Sequence, residues 1–289
     1  MLADYHMHTK FSDDSTCPME KAIQTAIAKN LDEICFTEHI DYGVKTDLNC
    51  DCQKYLEKFT YYQKLFSPQI KLKFGMEFGM QTHTINQFAK TFTSYPFDFI
   101  ILSCHQVDNL EFWNQAFQQG KTQQKYNELY YQEILKVIQQ YKDYCVLGHL
   151  DMINRYDQKG IYPFNKVFDL VNEILKQVIN DHKGIEINTS CYRYGLKDLT
   201  PSVEILKLYK KLGGDIITIG SDGHDVDQYG FKIQETKQIL KDLGFKYIYC
   251  QVVNDVKTKN IVYMKMQSII ILCIFIIIHL LFSILSCSF

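Results

Sequence analysis

Short runs rich in β-branched and aromatic residues alternate with longer amphipathic stretches along most of the chain. The first kind covers residues 3–8, 33–39, 71–79, 97–105, 144–150, 184–190 and 215–224, with a weaker run at 246–251. The second covers residues 18–30, 53–66, 123–140, 164–181, 201–212 and 232–243, where apolar positions recur at helical spacing. Pro18 and Pro201 stand where first-turn prolines belong, and Thr200 can cap the helix behind it. Strict strand–helix alternation predicts a parallel sheet joined by right-handed crossovers. Seven or eight such units favour a closed barrel over an open doubly wound sheet. No Gly-x-Gly-x-x-Gly follows the first strand, so a dinucleotide-binding fold lacks its phosphate loop.

The C-terminal segment breaks the alternation. Residues 268–289 contain no Asp, Glu, Lys or Arg, and Ile269–Leu285 is almost wholly aliphatic. As a helix they would span roughly 33 Å, enough to cross a bilayer core. Lys257, Lys259 and Lys265 precede them, as expected of basic residues held on the cytoplasmic side. The expected organisation is therefore a catalytic barrel over residues 1–255 and a hydrophobic tail over 268–289. The tail is read as a membrane anchor or as the product of a shifted reading frame.

Composition narrows the function classes. With 46% apolar residues the 289-residue chain can bury a core. A net charge of −2 leaves no electrostatic footprint for nucleic acid. Ten cysteines are scattered through core-like strands with no Cys-x-x-Cys pair. Met1 also leads straight into the first strand, so buried thiols in a cytoplasmic protein are expected. Cys50-Asp51-Cys52 could take a soft metal, although a chance pair in a loop accounts for it better. Of 31 Lys and Arg residues only Arg155 and Arg193 are arginine, so the planar, bidentate guanidinium occurs at two places.

Six of the nine histidines end a predicted strand or lie within two residues of its end: His6, His8, His39, His105, His149 and His224. The acidic residues Asp14, Glu38, Glu77, Asp151 and Asp222 occupy similar places. In a parallel barrel all strand C-termini open on one face, where active sites are built. His6 and His8 alternate on a strand, so both imidazoles can chelate one ion. Glu77 and Asp222 add oxygen ligands able to bridge divalent cations, and the mixed donor set suits Zn, Mn or Fe. A lone histidine on an apolar strand is usually a hydrogen-bonded core residue; six at equivalent positions beside carboxylates indicate metal binding. His83 and His182 read as ordinary polar positions, and His279 lies in the tail.

His6-Met7-His8-Thr9 followed by Phe11-Ser12-Asp13-Asp14-Ser15 resembles the first motif of the polymerase-and-histidinol-phosphatase (PHP) family. Phe36-Thr37-Glu38-His39, Gly75-Met76-Glu77, Ser103-Cys104-His105, Gly148-His149-Leu150-Asp151 and Gly220-Ser221-Asp222-Gly223-His224 follow in the family's order. Arg155-Tyr156 and the run Glu186–Ser190 with Arg193 are most similar to the histidinol-phosphate phosphatases. The resemblance implies a distorted parallel (β/α)7 TIM-like barrel that holds three divalent metal ions. His6, His8, Glu77 and Asp222 would take the first; Glu77 would bridge to a second shared with His105 and His149; Asp14, His39 and His224 would hold the third. Glu38 and Asp151 would orient histidines from behind. It further implies hydrolysis of a small phosphate monoester, L-histidinol phosphate in histidine biosynthesis. Arg155, Asp222 and His224 would act in catalysis, with Arg155 and Arg193 on the phosphate.

The expected chemistry is metal-assisted single displacement at phosphorus, since no Ser, Cys or Asp stands in a motif that demands a phosphoenzyme. Three other readings compete. A PHP-type nuclease would need a basic groove. An amidohydrolase-type barrel would need a bridging lysine where His105 stands. A membrane-tethered metal-binding sensor without turnover would have no use for the two arginines.

Overall fold

The computed structural model describes residues 1–250 and 262–265, with backbone only for 247–250 and 262–265. Seven parallel strands form one sheet in chain order: β1 (Ala3–Met7), β2 (Glu33–Ile40), β3 (Lys71–Gly79), β4 (Phe99–Ser103), β5 (Val146–Leu147), β6 (Gly184–Asn188) and β7 (Ile217–Gly220). The sheet closes where the backbone after β7 meets β1. Asp222 N donates to His6 O, and His8 N donates to Gly223 O, both at 2.8 Å. Seven helices follow the strands: α1 (Met19–Ala28), α2 (Cys52–Phe66), α3 (Ile85–Ser94), α4 (Gln123–Gln140), α5 (Phe164–Asn180), α6 (Val203–Lys211) and α7 (Ile233–Asp242). Their buried faces, such as Val167, Val171, Ile174 and Val178 of α5, pack with the outward strand residues in the main core.

Strand register fixes what faces the barrel axis. His39 on β2 stands opposite Glu77 on β3, and Glu77 stands opposite Ile101 on β4. Residues two apart on each strand share a face, so Cys35 and His39, Glu77, Phe99, Ile101 and Ser103 point to one side. Tyr5, Cys35, Phe99, Ile101, Cys145 and Val146 make a separate apolar cluster. That cluster plugs the N-terminal part of the barrel and leaves the polar groups to the C-terminal mouth.

Several expectations need correction. The weak eighth run does not join the barrel: Tyr247–Cys250 pairs antiparallel with Val262–Lys265. The run at 144–150 shortens to the two residues of β5, because the chain turns at Gly148 and His149 takes φ +22°. Helix α3 escaped the pattern reading, being short and rich in weak helix formers such as Thr91, Thr93 and Asn86. Thr200 does not cap α6, which begins two residues after Pro201 with Ser202 as N-cap. Its first amides are taken by side chains from elsewhere: Ser202 N donates to Asp151 Oδ2 at 2.9 Å and Val203 N to Asp198 Oδ2 at 3.1 Å. Among the described residues no helix is long and apolar enough to cross a membrane. The proposed tail, 268–289, and His279 lie outside the described residues. The cysteines at 17, 35, 50, 52, 104, 145 and 191 are all free and buried.

Candidate metal centre and phosphate site

Glu77 stands at the centre of the barrel mouth, fully buried, with a different set of histidines on each oxygen. Oε2 lies 2.9 Å from His6 Nε2, 3.4 Å from His8 Nε2 and 3.2 Å from His39 Nδ1. Oε1 lies 3.0 Å from His105 Nε2 and 2.9 Å from His149 Nε2, and also accepts from Ser103 Oγ at 2.6 Å. Asp222 Oδ1 sits 3.5 Å from both His6 Nε2 and His8 Nε2. Asp14 Oδ2 lies 3.1 Å from His224 Nε2 and 3.5 Å from His39 Nε2. All nine residues singled out as metal ligands therefore meet in one nest centred on the Glu77 carboxylate. Four subsets, including His6–His8–Glu77 and His39–Glu77–His105, bring their donor atoms within 4.8 Å of one another.

The donor chemistry fits divalent cations. His8 Nε2, His39 Nδ1 and His224 Nε2 are buried with no hydrogen-bond partner. The His8 ring stacks between those of His39 and His224 at 4.1 and 4.2 Å. Burying imidazole nitrogens beside carboxylates without a well-aligned hydrogen bond has a cost that bound cations would remove. Neighbouring charges shift the rings in different directions. Burial works against a charged His105, but Asp41 and Glu77 outweigh it and push its pKa up to about 10. His39 is likewise disfavoured as a cation by burial, yet Glu77 and Asp14 raise it to about 9. His8 is driven down by burial and by the neighbouring charges of His39 and His224. Burial would raise Glu77, but His6, His105 and His39 hold it well below the usual carboxylate range.

A set of buried acids aims these rings. Glu186 Oε1 lies 2.5 Å from His6 Nδ1, and Glu186 Oε2 accepts from His149 N at 2.8 Å. Asp41 Oδ1 is 2.9 Å from His105 Nδ1. Glu38 accepts from Thr9 N, Thr9 Oγ1 and Ser12 Oγ at 2.6–2.9 Å, and Ser12 Oγ is 3.1 Å from His8 Nδ1. Glu38 thus orients a histidine through Ser12, as expected, whereas Asp151 holds the start of α6 and touches no histidine ring. Two glycines make room: a Cβ on Gly79 would fall 1.8 Å from Asp41 Oδ1, and one on Gly220 would fall 2.2 Å from His6 Cβ. Asp41 and Glu186 escaped the sequence reading. Glu186 lay inside a quoted motif and Asp41 two residues beyond another, but only distance from a ring reveals their part.

The two arginines differ. Arg155, at the end of a short 3-10 turn (Met152–Arg155), is buried; it donates from Nη1 to Asp222 Oδ2 at 3.2 Å and from Nη2 to Asn188 Oδ1 at 3.0 Å. Its guanidinium lies 4.7 Å from the centre of the Tyr194 ring. Arg193 donates from Nη1 to Ser221 O at 2.9 Å and from Nη2 to Asp222 O at 2.7 Å, bracing the peptide on which Asp222 takes φ +53°. Arg155 lines the cavity of about 280 Å³ that opens onto the histidines, together with Lys45, Trp113, Tyr156 and Tyr194; Arg193 does not. The loops at 41–51 and 109–122 do reach this cavity, through Asp41 and Lys45 and through Trp113. Tyr156, which stands beside Arg155 in the sequence motif, lines it next to Trp113; Tyr194 had no sequence signal.

The PHP domain family matches residues 4–190. A histidinol-phosphatase from Lactococcus lactis is 33% identical over 247 residues, covering 84% of this chain and 91% of the relative.

The chain belongs to the PHP-domain histidinol-phosphatases.

The crystal structure of the Lactococcus lactis histidinol phosphate phosphatase, complexed with zinc, L-histidinol and phosphate, superposes with a TM-score of 0.78 at 31% identity; the match covers 87% of this chain and 97% of that one. A Listeria monocytogenes protein of 18% identity shares the fold with a TM-score of 0.73, covering 81% of this chain and 99% of its own. As a member of this family the chain is a metal-dependent phosphatase, and its buried histidines and carboxylates gather around Glu77 at the barrel mouth.

Proposed function

We propose that this protein hydrolyses L-histidinol phosphate to L-histidinol and phosphate, using three divalent cations. The observation that supports it most directly is the two-sided Glu77: one oxygen faces His6, His8 and His39, the other faces His105 and His149. His6, His8, Glu77 and Asp222 would hold one ion; Glu77, His105 and His149 a second; Asp14, His39 and His224 a third. Zinc is the ion found with the Lactococcus lactis relative. Such ions supply positive charge for the phosphoryl oxygens and an acidified water for attack on phosphorus.

The chain's own groups do the rest. Arg155, fixed by Asp222 and Asn188, directs a cation at the cavity and neutralises phosphoryl oxygens as charge develops. Its Tyr194 ring contact and burial keep the guanidinium from swinging away. Arg193 acts one step back, holding the peptide that presents Asp222. His224 lines the cavity beside Asp14, where it would help hold the third ion next to the phosphate. Trp113, Tyr156 and Tyr194 make an aromatic wall, with ring centres 6.4 and 6.1 Å apart in sequence, that suits a flat imidazole in the leaving group. The test is phosphate release by the metal-loaded protein from a panel of monoesters. L-Histidinol phosphate should give the highest kcat/KM; an equal rate on aliphatic phosphates would remove the substrate assignment.

A further inference from the structure

On the other side of the turn that carries Arg155 lies a second cavity, of about 260 Å³, outside the metal site. It is lined between the start of α5, the start of α6 and the loops before them. Its charged groups are all acidic: Asp151, Asp198 and Glu204; no Lys or Arg lines it. Asp151 is 2% exposed, and its Oδ1 is buried with no hydrogen-bond partner, while Oδ2 accepts from Ser202 N. The first amides of α6 already face Asp151 and Asp198, so an arriving anion would meet carboxylates in place of free N–H groups. The helix N-terminus contributes only about half a positive charge, against the carboxylates of Asp198 and Glu204 and the buried acid Asp151. The remaining walls are apolar or aromatic, among them Tyr131, Phe164, Val167 and Leu199, with Ile161 exposed at 57%.

From these features we infer a binding site for a small organic cation that carries an apolar body. The ammonium would meet the free oxygen of Asp151 and the carboxylate of Asp198, and the body would lie against Val167 and Phe164. A charge-assisted hydrogen bond to a buried, unpartnered carboxylate oxygen is the strong kind. The volume admits a ligand about the size of benzylammonium, and the site does not depend on the metals or on the substrate proposed above.

The experiment uses the full metal-loaded protein with inorganic phosphate present to occupy the barrel mouth. Benzylammonium is titrated calorimetrically, with benzyl alcohol and benzoate as neutral and anionic controls of matching shape, and the complex is crystallised. Benzylammonium should bind at least about tenfold more tightly than either control, one such factor being about 1.4 kcal/mol, with density in this cavity. Asp151→Asn should weaken it about tenfold or more. Because Asp151 also holds α6, Asp198→Asn is the second arm and should weaken it as well; asparagine keeps the acceptor for the helix amide in both. No binding, equal affinity for benzyl alcohol, density confined to the barrel mouth, or unchanged affinity in both variants would each overturn the inference.

Discussion

Asp41 Oδ1 lies 2.9 Å from His105 Nδ1, and this contact turns the ring's other nitrogen toward Glu77 at 3.0 Å. Gly79 leaves space for this carboxylate, whose other oxygen lies 4.0 Å from His39 Nδ1. Asp41→Ala is therefore expected to lower metal affinity at the Glu77–His105–His149 side by about 10- to 100-fold, the usual size for losing a group that orients a ligand. Asp41→Asn should recover part of it. Metal content after dialysis, measured beside kcat, decides: full metal retention in Asp41→Ala would show that the contact does not orient a ligand.

Chelation tests the whole nest. Removing divalent ions should abolish phosphate release, and Zn, Mn or Fe should restore it. Glu77→Gln should cut kcat/KM by more than about tenfold, since it weakens the bridge on both sides. Activity that persists after verified metal loss would end the metal-dependent reading.

Arg155→Ala should lower kcat/KM by roughly 30- to 1,000-fold, about 2–4 kcal/mol, with metal content retained. Arg155→Lys should restore only part, because lysine lacks the fork that reaches Asp222 and Asn188 together. Arg193→Ala is expected to behave differently, loosening the Asp222 peptide and so costing metal affinity more than phosphate affinity. Unchanged kinetics in Arg155→Ala would remove this residue from the site.

Proton linkage gives a prediction with a definite sign. His39 and His105 have folded pKa values of about 9 and 10 in the metal-free protein, above the roughly 6.5 of the unfolded chain. Their protonated forms stabilise the metal-free fold fully below about pH 6.5, and that contribution is lost as pH rises through 9 and 10. Metal-free protein should therefore melt at lower temperature at pH 10 than at pH 7. Metal binding near pH 7 must expel these protons, so affinity should rise with pH. Calorimetry in buffers of different ionisation enthalpy measures the release; none at pH 7 would contradict the assignment.

A chain ending after Gln267 should keep full phosphatase activity, because every proposed site residue lies between His6 and His224. If residues 268–289 anchor the protein, the full chain should sediment with membranes and resist carbonate extraction while the shortened one does not. A full-length chain that stays in the supernatant without detergent would exclude the anchor.

The sequence by itself determined the barrel and its chemistry. Strand–helix alternation requires parallel pairing, and parallel pairing sends every strand C-terminus to one face. Histidines at those termini, from His6 to His224, therefore had to meet. Strand register, spatial distance and loop path decided the rest. Only in three dimensions does Glu77 divide its two oxygens between two sets of rings, because register sets it between His39 and Ile101 on the neighbouring strands. Asp151 looked like Glu38 in the sequence, both standing beside a histidine at a strand end. The turn after His149 carries Asp151 away from the rings to the amide of Ser202, while Glu38 stays on β2 facing Ser12. Likewise the two arginines read as a pair. Arg155 ends a turn that faces the cavity, whereas Arg193 points beneath it, and a hydrogen-bonding path across loops has no periodicity for a sequence to display.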